Sequence, residues 1–321
     1  MATNYTNTLA GLLALNDRRL SEAEGSDVLN AAPFVLVAHA QPASNGGTQH
    51  MFNRVLTAPG VGFRGVSEGI TNAAGTFEDV TLNCALLDGS FSRDKALALA
   101  YRKGAVAYMD KEATMSLREA FFKMECAIFR SNINKQFTGL PGSGFFDATG
   151  DGQVINAAGN GGRSVWLLRC AEDGISIVAG NEGRVDMATE DATIQALDSS
   201  SRPYTALHRS ILGWFGLQIG SKYDAARVAN LDGTTGHTLT DGLLAQALAK
   251  FPAARQPTHI VMSRTSHSEL QQSRTATNPT GAPAPFPTEA FGFPIVVTDA
   301  IPEDEAALNT TTTTTTTSTQ A

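Results

Sequence analysis

The chain has 321 residues, 42% hydrophobic and 17% charged, enough for one large domain or two smaller ones with a sizeable core. Its net charge of −7, with 24 scattered Lys and Arg, excludes the basic stripe by which a protein grips nucleic acid. Three widely spaced cysteines (Cys84, Cys126, Cys170) fit neither a disulfide framework nor a zinc site. No apolar run reaches membrane-spanning length, and the polar start Met1–Ala10 lacks the order of a signal peptide, so a cytoplasm is the expected place of synthesis. The low charge suits a protein that buries surface against copies of itself, and equally an ordinary neutral-surfaced domain.

In chain order, Asn7 to Leu29 reads as helix, with Leu9, Leu12, Leu13, Leu20 and Val28 near helical spacing and a break at Gly25-Ser26. From Pro33 an extended run begins with Phe34, Leu36 and Val37, and a β-like region continues to Leu87. Its flanks, Met51 to Leu56 and Phe77 to Leu87, read as strands; the second alternates with a period of two. Between them lies a loop of small residues from Pro59 to Gly75. The pattern predicts either a long arm that needs a surface to lie on or a flexible surface loop.

Helical spacing takes over from Ser92: Leu97, Tyr101, Ala105, Tyr108, Leu117, Phe121, Met124 and Ile128 form one face. Ser92 is the expected cap, with Asp94 in the first turn. Unbroken to Arg130, this helix would span roughly 55 Å, with Gly104 as the place for a bend or split. A glycine-rich loop, Gly139 to Gly162, follows. Val165–Cys170 and Ile175–Ala179 flank Glu172-Asp173-Gly174 and read as a hairpin. Tyr204 to Ala229 supplies two or three strands. Beyond Gly233 the chain turns mixed: helix Leu239–Phe251, strand His259–Met262, helix Ser266–Ala276, a proline-rich loop, and strand Phe293–Thr298. The threonine run after Asn309 has nothing to pack and is expected to be disordered.

Motifs for chemistry are incomplete. Asp147-Ala-Thr-Gly-Asp151-Gly152 has the look of a calcium loop, but Thr149 and Ala158 stand where ligands belong. Gly139-Leu-Pro-Gly142-Ser143-Gly144 lacks the Lys-Ser/Thr end of a phosphate loop. The six histidines share no metal-ligand spacing, Ser266-His267-Ser268 is adjacency alone, and no nucleophile elbow is present. No catalytic residue, metal or cofactor is expected.

The order of pieces resembles the tailed-bacteriophage major capsid proteins of the Hong Kong 97 fold. The matching stretches are Leu56 to Arg64 with Glu68-Gly69, Phe77 to Val80, Leu87-Asp88-Gly89, Ser164-Val-Trp166, Gly174 to Val178, Arg227 to Leu231, His259 to Arg264, Gln271 to Pro279 and Phe291 to Asp299. The resemblance implies an α+β capsid fold with an N-terminal arm (1–33), an extended loop with its flanking strands (34–88), a spine helix and peripheral β-rich domain (89–232), an axial α/β domain (233–305) and a Thr-rich tail (306–321). It implies inter-subunit contact by Arg54, Phe63, Arg64, Glu68, Phe77, Glu78 and Asp79, whose charges read equally as solvated strand edges. It implies a spine formed by Leu97, Tyr101, Tyr108, Leu117, Phe121 and Ile128. The expected partners are copies of the chain in hexamers and pentamers, with scaffold, portal and decoration proteins, and packaged double-stranded DNA held without sequence-specific contact. No membrane partner is implied. The expected setting is a virion capsid assembled in the host cytoplasm. Residues 45–87 contain no lysine, so an arm-lysine cross-link of the kind some relatives make is not expected. An encapsulin-like nanocompartment and an unrecognised enzyme are the alternatives.

Overall fold

The computed structural model describes residues 31–57, 59–69, 73–130, 135–188, 191–276 and 282–308. The helix expected at Asn7–Leu29, nearly all of the N-terminal arm and the threonine run lie outside the described residues. Residues 306–308, placed in the tail by sequence, are held: Leu308 N donates to Asn230 Oδ1, and Asn230 Nδ2 donates to Leu308 O.

The extended run expected after Pro33 is instead a short helix, α1 (Pro33–Val37). Proline in its first turn presets the helical φ, and Phe34 and Val35 are buried. Strands β1 (Ala40–Pro42), β2 (Gln49–Thr57) and β3 (Thr76–Asn83) follow. β2 and β3 form the expected hairpin, registered from Gln49↔Asn83 to Val55↔Phe77. The return strand stops at Cys84 and resumes as β4 (Ala85–Asp88), which leaves the hairpin for another sheet. After β5 (Phe91–Asp94), the helical region is split at the glycine expected to bend or break it, into α2 (Lys95–Ala100) and α3 (Ala105–Phe129). Gly104, at φ +91°, makes the break. Ser92 lies in β5, and Asp94 is the cap, accepting from Ala96 N at 2.8 Å. The 25 residues of α3 span about 38 Å instead of the expected length.

The remaining strands are β6 (Val154–Asn156), β7 (Arg163–Leu168), β8 (Ile175–Ala179), β9 (Val185–Met187), β10 (Ala192–Leu197), β11 (Pro203–Arg209), β12 (Ile211–Ile219) and β13 (Ala225–Leu231). Then come α4 (Asp241–Leu248), β14 (His259–Met262), α5 (Arg264–Ala276), β15 (Glu289–Ala290) and β16 (Phe293–Val297).

The chain forms two compact units that interleave along the sequence. Among the described residues, the first takes those within 31–128, 135–138 and 170–221. It holds a five-stranded sheet (order β1-β8-β12-β4, with β9 also on β12), a three-stranded sheet (β10-β11-β5) and the β2–β3 hairpin. The second takes those within 129–130, 139–169 and 222–308 and is built on a six-stranded sheet, β15-β16-β14-β7-β13-β6. One side of its core is made by Leu244 and Ala247 of α4 and Leu270 of α5, against Val165, Leu167, Val228 and Ile260.

The hairpin expected around Glu172-Asp173-Gly174 does not form: β7 and β8 belong to different sheets and different units. The reason is burial. All six residues of β7 and all five of β8 are buried, so each needs a strand on both edges. β13 and β14 flank β7, and β1 and β12 flank β8. Glu172-Asp173-Gly174 is the turn by which the chain passes from one to the other.

Candidate assembly interface

The hairpin is anchored at its base and bare at its end. At the base, Ser44 N donates to His50 Nδ1 (3.1 Å), which makes Nδ1 the acceptor and leaves Nε2 to donate to Gln218 Oε1 at 2.6 Å. Gln41 Nε2 bonds both Gln218 Oε1 and Ser176 Oγ, and Gln218 Nε2 donates to Glu172 O. These buried and half-buried amides tie β2 to β1, β8 and β12. Alternate residues of β2 continue the anchor: the Phe52 ring stacks on His50, and Arg54 lies 5.7 Å above Phe52. Arg54 also donates to Ile219 O (3.1 Å) and pairs with Glu78 at 3.6 Å. Two of the predicted contact residues, Arg54 and Glu78, therefore meet each other within the subunit.

Along β3, Phe77, Glu78 and Asp79 are exposed. Beyond the strands, Arg64 Nη1 donates to Glu68 O (2.8 Å) and Gly65 N to Glu68 Oε2 (2.6 Å), so this predicted pair shapes the loop end. The turn carries Val61, Phe63 and Val66 outward at 83%, 110% and 99% relative exposure. Burying such side chains is worth roughly 1.5–3 kcal/mol each, so the end of the loop carries several kcal/mol of unrealised gain.

Of the predicted spine residues, Leu117, Phe121 and Ile128 are buried along α3, and Phe121 meets Phe215 of β12 edge-on at 6.4 Å. Tyr108 is half-buried, its ring 5.6 Å from that of Tyr101. Leu97 and Tyr101 do not belong to this helix. Leu97 sits on α2 at 56% exposure, and Tyr101 follows the end of α2, because the break at Gly104 resets the helical phase.

Sequence reasoning missed the groups that brace the spine. Glu125, fully buried on α3, accepts the amides of Phe34 and Val35 at 3.1 and 3.2 Å, joining α3 to α1. Arg209 of β11 reaches Asp110 of α3 (2.7 Å) and Asp191 (2.7 Å). Burial opposes its charge, but the two aspartates outweigh that and raise its pKa. In the second unit Arg227 donates to Ser164 Oγ, Phe146 O and Glu305 Oε2, with the Trp166 ring 4.9 Å away. The only sequence signal for any of these was a charged residue among apolar ones.

The calcium-like loop closes on itself. Asp147 accepts the amides of Gly142 and Gly144, and Asp151 those of Asp147 and Ala148. Among the described residues no group of three or more His, Cys, Asp or Glu is arranged to hold a metal. His267 Nε2 bonds Pro287 O, and Ser266 is buried against Ser263. Cys84 and Cys126 are buried, and burial pushes the Cys84 thiol pKa up.

The family model for Major capsid protein GP7 matches residues 26–309. No curated protein sequence matches the chain. Among solved structures, the bacteriophage Epsilon15 chain superposes with a TM-score of 0.63 at 19% identity, over 84% of this chain and 88% of that one. The bacteriophage JBD30 capsid chain gives 0.52 at 8% identity, over 85% and 93%. The SrpI encapsulin of Synechococcus elongatus gives 0.41 at 9% identity, over 62% and 88%, too low to carry an argument. The α+β architecture, with its extended hairpin, long helix and two interleaved units, is the Hong Kong 97 fold. This chain belongs to the Major capsid protein GP7 family, the shell-building proteins of phage capsids.

Proposed function

We propose that copies of this chain assemble through the extended loop into a closed icosahedral shell of hexamers and pentamers around packaged double-stranded DNA. The observation that carries this reading is the loop itself: anchored at its base by a polar network, it ends in three apolar side chains that stand exposed in their own subunit. A soluble monomer gains nothing by presenting them, whereas a neighbour's surface would bury them. Arg54, Phe63, Arg64, Glu68, Phe77, Glu78 and Asp79 take part as loop residues: Arg54 and Glu78 set the angle of the arm, Arg64 and Glu68 shape its end, and Phe63 makes the contact.

The shell is non-covalent, since residues 45–87 carry no lysine. The subunit faces DNA as a wall, in keeping with a net charge of −7. It is structural and not catalytic, its buried carboxylates and its histidines at 50 and 267 being committed to hydrogen bonds within the fold. Scaffold, portal and decoration proteins are its further partners, and assembly takes place in the host cytoplasm before the shell becomes part of the virion.

Negative-stain electron microscopy of the purified chain, with and without reducing agent, tests the proposal. Closed icosahedral particles that survive reduction are expected. Discrete small particles under all conditions, with co-expressed scaffold included, would overturn it.

A further inference from the structure

Asparagine followed by glycine can close on itself, because no side chain on the second residue keeps its amide nitrogen from the carboxamide carbon. The chain has two such pairs, Asn45-Gly46 and Asn160-Gly161. They differ in how they are held. Asn45 and Gly46 are both exposed, in the turn between β1 and β2. Asn45 Oδ1 accepts from Gly47 N at 2.9 Å. The carboxamide is thereby folded back along its own backbone: a Cβ on Gly47 would lie 3.4 Å from Oδ1 and 3.9 Å from Cγ. When Gly46 N attacks Cγ, negative charge develops on Oδ1, the atom to which Gly47 N already donates. Around Gly46 there is room, since a Cβ there would meet nothing within 4 Å. Its amide donates to Ala43 O at 3.0 Å, a bond that has to open first, at little cost in an exposed turn.

At the other pair Asn160 is exposed but Gly161 is buried. Asn160 N donates to Asp232 Oδ2 at 3.1 Å, and Gly162 exchanges two backbone hydrogen bonds with Glu305. Gly161 is pressed so close to that segment that a Cβ would lie 2.5 Å from Glu305 O. Ring closure there has to move backbone that is tied on both sides.

We propose that Asn45 is a self-modification site, converting to aspartate and isoaspartate through Gly46. Gly46 N bonds to Cγ as the Cγ–Nδ2 bond breaks. The amide proton leaves with the carboxamide nitrogen as ammonia, and a succinimide joins residues 45 and 46. Water then opens the ring. Cleavage of the new Cγ–N bond leaves aspartate; cleavage of the original peptide bond leaves isoaspartate, with the chain running through the side chain. No enzyme and no change of oxidation state is involved. Both products add a negative charge, and isoaspartate also adds an atom to the backbone. The turn has no slack for that atom. On one side Ser44 N donates to His50 Nδ1, and Ser44 Oγ accepts from Met51 N. On the other, Gly47 O accepts from Asn181 N and Thr48 O from Cys84 N, both at 2.8 Å. The lengthened chain gives up one set, so the hairpin's anchor has a fresh form and an aged one.

The test ages the full-length chain in mildly alkaline buffer, folded and, in parallel, in urea. Peptide mapping by mass spectrometry follows aspartate and isoaspartate at both pairs. In the folded chain Asn45 should convert about tenfold faster than Asn160, the factor expected of one hydrogen bond to a developing charge. In urea the two should convert alike. Equal rates in the folded chain, or a lead for Asn160, would overturn the proposal. Amide exchange at Met51 reads the consequence for the anchor. Aged chain should lose protection there, Asn45→Asp should keep it, having the charge without the extra atom, and Asn45→Ser should neither convert nor lose it. Full protection in aged chain, or an equal loss in Asn45→Asp, would sink the argument from backbone length.

Discussion

Replacing Arg227 by Met should loosen the end of the chain by an amount that the structure lets one estimate. Arg227 is 3% exposed and sits on β13, where it holds Ser164 Oγ at 2.9 Å, Phe146 O at 2.8 Å and Glu305 Oε2 at 2.8 Å. Glu305 is itself largely shielded, and its carboxylate also accepts from the Ser164 hydroxyl. Met keeps most of the volume against Trp166 but strands a buried carboxylate. Breaking such a pair from one side costs about 3–5 kcal/mol. Glu305→Gln in the same background removes the stranded charge, so the double variant should recover about 1–3 kcal/mol of that loss. Urea unfolding followed by Trp166 fluorescence, in a Trp214→Phe background, reads the second unit alone, because the chain has 2 tryptophans. With a slope of about 1–3 kcal/mol/M, the midpoint should fall by about 1–5 M in Arg227→Met and partly return in the double variant. A loss under about 1 kcal/mol, or single losses that simply add, would refute the view that this cluster holds the chain's end to the sheet.

The neighbouring turn should respond to acid. Asp232 has its pKa lowered from 3.8 to about 2, first by the Thr234 hydroxyl, then by the amides of Thr234 and Asn160. A depressed carboxylate contributes stability that is present above 3.8 and lost as pH falls through about 2. Amide exchange at Asn160 and Thr234 should therefore lose its protection across that window, and Asp232→Asn should remove the pH dependence. Gly162→Ala should destabilise the second unit by at least about 1–3 kcal/mol. Gly162 is at φ +104°, an added Cβ would lie 2.2 Å from Leu231 O, and its backbone exchanges hydrogen bonds with Glu305. Thermal unfolding checks this; an unchanged midpoint would mean that the turn relaxes freely.

What sequence could disclose here depended on the range of the interaction. The hairpin was visible because period-two alternation over Phe77–Leu82 is local, and α5 and β14 because their patterns are bounded by turns. The spine's core face is legible at Leu117, Phe121 and Ile128, and Gly104 marks the place for a bend or split, but periodicity runs through that glycine, and only the left-handed φ there decides for a split and removes Leu97 and Tyr101 from the long helix. The turn at Glu172-Asp173-Gly174 looked like a hairpin because turn chemistry says nothing of which sheet each flank joins. Partners for β7 come from residues 225–231 and 259–262, beyond any local signal. Similarly, Glu125 reads as one more polar residue of a helix, and only the fold brings the Phe34 and Val35 amides to it. Of the loop residues proposed for contact, sequence marks a segment but not the division between Arg54 and Glu78, which pair with one another, and Phe63, which stands exposed.

The order in which β7 meets its neighbours bears on how the protein is made. β7 is buried along its whole length, yet β13 and β14 lie far downstream, Thr258 bonding Leu168 across 90 residues. At roughly 5–20 residues per second, a ribosome needs about 5–20 s to deliver the second edge partner after the first apolar strand has emerged. Until β13 emerges, Val165, Trp166, Leu167 and Leu168 have no partner strand from downstream, and until β14 emerges one edge of β7 stays open. A protein needed in many copies at once thus passes through its most aggregation-prone stage on every nascent chain. Slower growth at lower temperature, or a chaperone that holds extended apolar segments, should raise the soluble yield more than any change to the finished fold.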